Sequence, residues 1–277
     1  MIQCKGSSFT VFQSVLYQTT TTVVQTKDLI LVVDPTCFPH EIEEIRNYVR
    51  MIQGDRPVYM LFTHSDWDHV IGYGAFAADG VAIASKGMAD RADGEHVLDD
   101  IRQFDAQYYI TRSYPLAYPK VKVVIDRDEQ ELKVGGTTLI FWLAPGHTRD
   151  GLFALVESEG IFLAGDYLSD VEFPFIGDSS AAYEATLEKA LQIIDSGKVK
   201  LTVPGHGLAA RSVEEAKERI AGSRAYIRQL REAVRTGDAV QTVLLSAQYR
   251  FWPGLAASHE DNIRLLRTEL AEASQYI

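Results

Sequence analysis

The amino-acid sequence predicts an α/β protein built as two β-sheets packed face to face, with helices over their outer faces. Two observations carry that expectation. Strands come in runs, helices follow each run, and the whole order occurs twice. Two sheets that must each bury an apolar face satisfy such a pattern by packing on one another under a helical cover. No linker-like Pro/Gly/Ser stretch stands near the middle, so residues 1–277 are expected to form one continuous domain, with a helical C-terminal part over about 211–277.

The first run opens with SFTVFQSVLYQ (8–18) and TTTTVVQTKDLILVVDP (19–35), rich in β-branched and aromatic residues, with TKD as a turn. PHEIEEIRNYVRMI (39–52) places Ile42, Ile45, Val49 and Ile52 at helical spacing. PVYMLFT (57–63) and VAIAS (81–85) are short apolar strands, and residues 87–110 are mostly helical in pattern. The second run starts at residues 120–147, two or three strands with Gly135-Gly136 as a hairpin signal. LFALVESEGIFLAGD (152–166) is a second hairpin, turning at Ser158-Glu159-Gly160. An amphipathic helix over 179–197 ends at glycine, and KLTVPGHG (200–207) is a further strand. Helices follow from Val213 to Arg235 and from about His259 to Glu272, with His259 as a helix-start residue.

Composition removes several classes of function. A net charge of −11 opposes broad binding to a phosphate backbone. Cys4 and Cys37 form no CxxC pattern and read as buried or half-buried thiols of a reducing compartment. No stretch reaches the roughly 20 apolar residues that span a bilayer, and the N-terminus lacks an apolar core of secretory length. The expectation is a cytoplasmic protein whose partner is a small-molecule substrate, without nucleic acid or membrane. Oligomeric state is not legible.

Four of the seven histidines follow apolar strands, in FTHSDWDH (62–69), APGHT (144–148) and VPGHG (203–207), and Asp166 ends FLAGD (162–166). Strand ends suit functional groups, because the scaffold there is rigid and the loop is accessible. In an extended segment residues two apart point the same way, so His64 and Asp66 grip one ion while Asp68 and His69 face a second as the chain turns into a helix. Taken singly, each residue has an ordinary reading, Asp68 as the N-cap of the following helix among them. Jointly, seven ligand-type residues at successive strand ends read as a metal site. Neither GxSxG nor GxxxxGK[ST] competes with it.

FTHSDWDH, APGHT, FLAGD and VPGHG, in that order after an early LVVDP, resemble the metallo-β-lactamase fold superfamily from about Phe12 to about Leu208. The resemblance implies an αββα sandwich of two mixed sheets flanked by helices. It implies that His64, Asp66 and His147 hold one divalent ion, that Asp68, His69 and His206 hold a second, and that Asp166 bridges them. Asp34 of LVVDP would support the site without binding metal. The reaction implied is hydrolysis by a metal-bridging hydroxide, with Asp68 orienting it and carrying its proton to the leaving group.

One position departs from the usual motif. Most of the superfamily has His-x-His-x-Asp-His, whereas this chain reads His-x-Asp-x-Asp-His, with Asp66 in place of an imidazole. Three carboxylates and one hydroxide neutralise two divalent ions, where the usual set leaves a positive charge. The extra hard oxygen moves preference toward Mn²⁺ or Fe²⁺, with Zn²⁺ still the expected metal. The substrate expected is a small ester, lactone or thioester. A small-molecule phosphodiester is the alternative, and an iron-dependent oxidoreductase or dioxygenase of the same fold is a third reading. Tyr167, Phe173 and Phe175 are candidate substrate contacts, the two phenylalanines as part of an apolar wall over 171–184, and residues 88–110 are a candidate lid.

Overall fold

The computed structural model describes residues 1–237 and 248–274. The parts of the expected helical region at 238–247 and 275–277 lie outside the described residues. Strands β1 (Ile2–Lys5), β2 (Phe9–Gln13), β3 (Thr20–Gln25), β4 (Ile30–Val33), β5 (Val58–Leu61), β6 (Gly80–Ser85) and β7 (Val121–Ile125) form a seven-stranded sheet in sequence order. Its first four strands are antiparallel and its last four parallel. A second sheet runs β12 (Leu201–Val203), β11 (Ile161–Leu163), β10 (Leu152–Val156), β9 (Thr137–Leu143), β8 (Gln130–Val134), antiparallel except for the parallel pair β11–β12. Both sheets are therefore mixed.

The apolar strands explain the layering. Ile30 and Val32 of β4 face a cluster formed with Ile42, Ile45 and Val49 of α1 (Pro39–Gln53) and with Val97, Leu98, Ile101 and Phe104 of α5 (Gly94–Gln107). Leu29, Leu31 and Val33 face the other way, onto Phe141, Leu152, Ala154 and Leu163 of the second sheet. Phe153 and Leu155 of β10 point outward to α6 (Ser180–Asp195), α7 (Val213–Thr236) and α8 (Trp252–Ser274). A strand that alternates two apolar faces requires cover on both, and the helix–sheet–sheet–helix order supplies it. The expected αββα sandwich of two mixed sheets is the architecture observed.

Three local expectations change. The N-terminal strand β1 is added, pairing with β2. The expected helix over 87–110 is two helices, α4 (Lys86–Ala89) and α5, because Ser85 caps the first through the Met88 N–H and the chain turns at Asp90 before restarting. The apolar side chains of α5 at Val97, Leu98, Ile101 and Phe104 are buried, so it docks on the sheet. His259 does not start a helix: α8 begins at Trp252 with Pro253 in its first turn, where a missing N–H is tolerated. His259 is fully buried, with Nδ1 2.9 Å from the Tyr226 hydroxyl. Among the described residues no helix is long and apolar enough to cross a membrane.

Candidate metal centre

Parallel neighbours bring their C-terminal ends together, and each sheet has such a pair at one edge of the sandwich. Asp34 follows β4 and His64 lies just beyond β5, while Asp166 lies just beyond β11 and His206 just beyond β12. His147 comes from the loop joining β9 to β10, on the same edge because β9 runs in the same direction as β11. Asp68 and His69 belong to α2 (Trp67–Val70), a single turn. Asp66 sits at its N-cap position, yet its carboxylate makes no capping bond. It turns toward the histidines instead.

The seven expected ligands converge. His64, Asp66 and His147 form one group whose ligand atoms lie within 4.8 Å of one another, and Asp68, His69 and His206 form another. Asp166 stands between them: Oδ2 lies 3.6 Å from His64 Nε2, 3.3 Å from His147 Nε2 and 3.2 Å from His206 Nε2, and Oδ1 lies 3.1 Å from His69 Nε2. All four histidines are buried, and Asp66 is the most open member, its side chain 43% exposed.

Every imidazole is oriented from behind through Nδ1, which leaves Nε2 facing inward. His69 Nδ1 meets Asp34 Oδ2 at 3.0 Å, His147 Nδ1 meets the Phe175 carbonyl at 2.8 Å, and His206 Nδ1 meets the Tyr17 carbonyl at 3.0 Å. His64 Nδ1 lies 3.0 Å from Thr63 Oγ1, whose hydroxyl donates to Asp34. Such outer partners set the tautomer and aim the lone pair at a metal. The residues fit a cation on a direct observation: His64 Nε2, His147 Nε2 and Asp166 Oδ1 are buried without a hydrogen-bond partner. Buried acceptors rarely stay orphaned, and convergent imidazole and carboxylate acceptors are what a divalent ion satisfies.

Two glycines keep the cradle open. A Cβ on Gly205 would stand 2.1 Å from Asp166 Oδ1 and 2.9 Å from His69 Cε1. Gly146 adopts φ 124°, and its Cβ would meet the Tyr183 backbone at 2.4 Å. Asp34 is itself in the left-handed region at φ 46°, which an aspartate tolerates better than a branched residue. In that conformation its carboxylate accepts the Thr63 N–H at 2.9 Å as well as the contacts above. Asp34 thus supports the site through His69 and Thr63.

The charge balance follows from burial. Burial disfavours the charged form of Asp166, but the surrounding histidines hold its carboxyl well below the usual range, and His64 and His147 do the same for Asp66. Burial likewise opposes protonation of the histidines, yet Asp166 with Asp68 raises His69, Asp166 with Asp66 raises His147, and His206 is pushed up to about 10. The cluster demands positive charge, and protons or metal ions supply it. Metal must displace those protons. Titrating Zn²⁺ into metal-free protein near neutral pH is therefore expected to release protons, and apparent affinity is expected to rise with pH; a proton count of zero by calorimetry in buffers of different ionisation enthalpy would contradict this.

Several contributors had no sequence signal. Glu172 lies 3.9 Å from His206 Nδ1, and burial pushes its carboxyl up to about 7. The orienting carbonyls of Tyr17 and Phe175 belong to backbone, which no residue type marks. Asn262 of α8 accepts from the Ile176 N–H at 2.9 Å and donates to the Pro174 carbonyl at 2.6 Å, clamping the segment that presents the Phe175 carbonyl to His147. The three expected substrate contacts divide. Tyr167 is 2% exposed, and its hydroxyl donates to the Pro145 carbonyl at 2.7 Å and accepts the His147 N–H at 3.0 Å, so it braces the histidine loop. Phe173 is buried against Tyr226, ring centroids 4.9 Å apart. Phe175 lines a cleft of about 820 Å³ that opens beside Asp66 and His147.

A profile of the metallo-beta-lactamase superfamily matches residues 15–206. The fold matches a metallo-beta-lactamase family protein of Thermus thermophilus with a TM-score of 0.58 at 19% identity, covering 93% of each chain. It matches an archaeal superfamily protein of Sulfolobus tokodaii with a TM-score of 0.55 at 17% identity, covering 79% of this chain and 86% of that one. A sec-alkyl sulfatase gives a TM-score of 0.65 at 13% identity over 84% of this chain, which spans only 42% of that protein. A comparison with curated proteins finds no match.

Proposed function

Because the chain belongs to the metallo-beta-lactamase superfamily, which includes metal-dependent hydrolases, we propose that it hydrolyses a small ester, lactone or thioester in the cytoplasm with two divalent ions, zinc by default. The observation that carries the reading is the convergence of seven ligand-type side chains, among which His64 Nε2, His147 Nε2 and Asp166 Oδ1 are buried without a hydrogen-bond partner. Bound ions would activate water and polarise the substrate oxygen. His64, Asp66 and His147 would hold one, Asp68, His69 and His206 the other, and Asp166 both. Asp68 would act as proton carrier, a reading supported by its carboxylate within the cluster, where Oδ2 accepts from Thr19 Oγ1 at 3.4 Å. A net charge of −11 and an apolar Phe175 and Ile176 beside the site favour a small carbonyl substrate over a phosphodiester.

The test is a panel of chromogenic esters, lactones, thioesters and phosphodiesters assayed with Zn²⁺, Mn²⁺ and Fe²⁺. Turnover confined to phosphodiesters would replace the proposal by its alternative. Asp66→His is expected to retain metal while shifting preference toward Zn²⁺, because it exchanges a hard oxygen for imidazole at the most open ligand position. Identical metal content and identical metal-dependent activity in both proteins would refute the role given to Asp66.

A further inference from the structure

We infer that the cleft beside the first metal position contains a subsite for a protonated amine, built on Asp150, and that this amine belongs to the substrate; the assignment to substrate rests on the hydrolase reading above. Asp150 is three residues after His147 and lines the same cleft of about 820 Å³ as His147 and Asp66. It is only 7% exposed, and its Oδ1 is buried without a hydrogen-bond partner. A buried carboxylate oxygen left unpaired is costly, so a partner from outside the fold is the expected remedy.

The other charges around the cleft are already matched. Arg91 donates through Nε to Asp93 at 2.7 Å and through Nη1 to the Ser65 hydroxyl. Arg149 pairs with Asp178 at 2.9 Å, and Asp261 pairs with Arg264. Asp66 faces the metal cluster. That leaves Asp150 as the charge without an ion-pair partner among the described residues lining this cleft, and it is negative. Thr148 Oγ1, also on the cleft wall, is a second buried polar atom without a partner. An ammonium group carries three donors and no acceptor, and the carboxylate is the charged acceptor that it would meet on this wall. An anionic ligand would find its arginines engaged by Asp93, Ser65 and Asp178 and a carboxylate opposing it that Arg91 reaches only through space, without an ion-pair contact.

Matched substrates test the subsite. With the metal-loaded protein, nitrophenyl 6-aminohexanoate is expected to exceed nitrophenyl hexanoate in kcat/KM. Asp150→Asn is expected to cut that preference by about 10- to 100-fold, the scale of a hydrogen bond to a charged group, while hexanoate turnover changes by less than about threefold. Equal rates on the two esters in the wild-type protein, or an unchanged preference in the variant, would overturn the subsite. Binding supplies a readout that needs neither turnover nor a folded variant: hexylamine should raise the wild-type melting temperature and hexanol should not. If hexylamine stabilises while neither these esters nor any lactone or thioester of the panel is hydrolysed, the subsite stands and the hydrolase reading falls. If hexanoate anion stabilises more than hexylamine, the amine assignment is overturned.

Discussion

Asp166→Ala is expected to lower hydrolytic turnover by about 10³-fold or more and to leave the protein unable to hold two ions per chain. The carboxylate is within 3.6 Å of all four site histidines and touches both ligand groups, so its loss removes a contact from each ion at once. A bound metal contributes several kcal/mol of transition-state stabilisation, and each 1.36 kcal/mol is about a factor of ten in rate. Elemental analysis and turnover on the best ester of the panel read the two effects together. Lys133→Ala, on an exposed side chain far from the chemistry, controls for non-specific damage. Full metal content with full activity in Asp166→Ala would show that the cluster is held differently from its geometry. The variant is not expected to lose its fold, because the carboxylate's contacts are with the site histidines rather than with the apolar layers that hold the sheets together.

Phe141→Ala is expected to destabilise the fold by about 3–5 kcal/mol, the usual cost of an emptied aromatic site in a core. Phe141 is fully buried on β9 and faces the interior between the sheets, among Leu31, Leu152, Ala154 and Leu163. Both sheets line that space, so neither can collapse into the cavity without losing its own register. Urea unfolding should show a lower midpoint at unchanged slope. Val15→Ala, at an 81% exposed position, is expected to stay within about 0.5 kcal/mol of wild type. A Phe141→Ala effect no larger than that of Val15→Ala would mean that the inter-sheet layer is not the core.

The candidate metal ligands were legible because their chemistry is in their side chains and their place is in the strand pattern. His64, Asp66, Asp68 and His69 stand within six positions, and His147, Asp166 and His206 each follow a short apolar strand. Elements with a clean period were legible for the same reason: α1 and the β10–β11 hairpin appear where the residues put them. Where a local signal competed with context, the reading slipped. The last helix is expected from about His259, whereas α8 starts at Trp252 and carries His259 within it, buried. Tyr167 and Phe173, beside Asp166 in sequence, gave no sign of which way they would face, and both turn into the core.

By itself the sequence determined the layer order, the seven candidate ligands and the exchange of imidazole for carboxylate at Asp66, since each depends on residue type and spacing along one chain. Only the tertiary structure decided how those ligands group, which backbone carbonyls aim His147 and His206, that Asn262 of the last helix reaches back to the His147 support, and that Asp150 faces the cleft unpaired. These are contacts between segments distant along the chain, or they belong to backbone atoms that every residue shares, and such relations exist only once the two sheets have closed on each other.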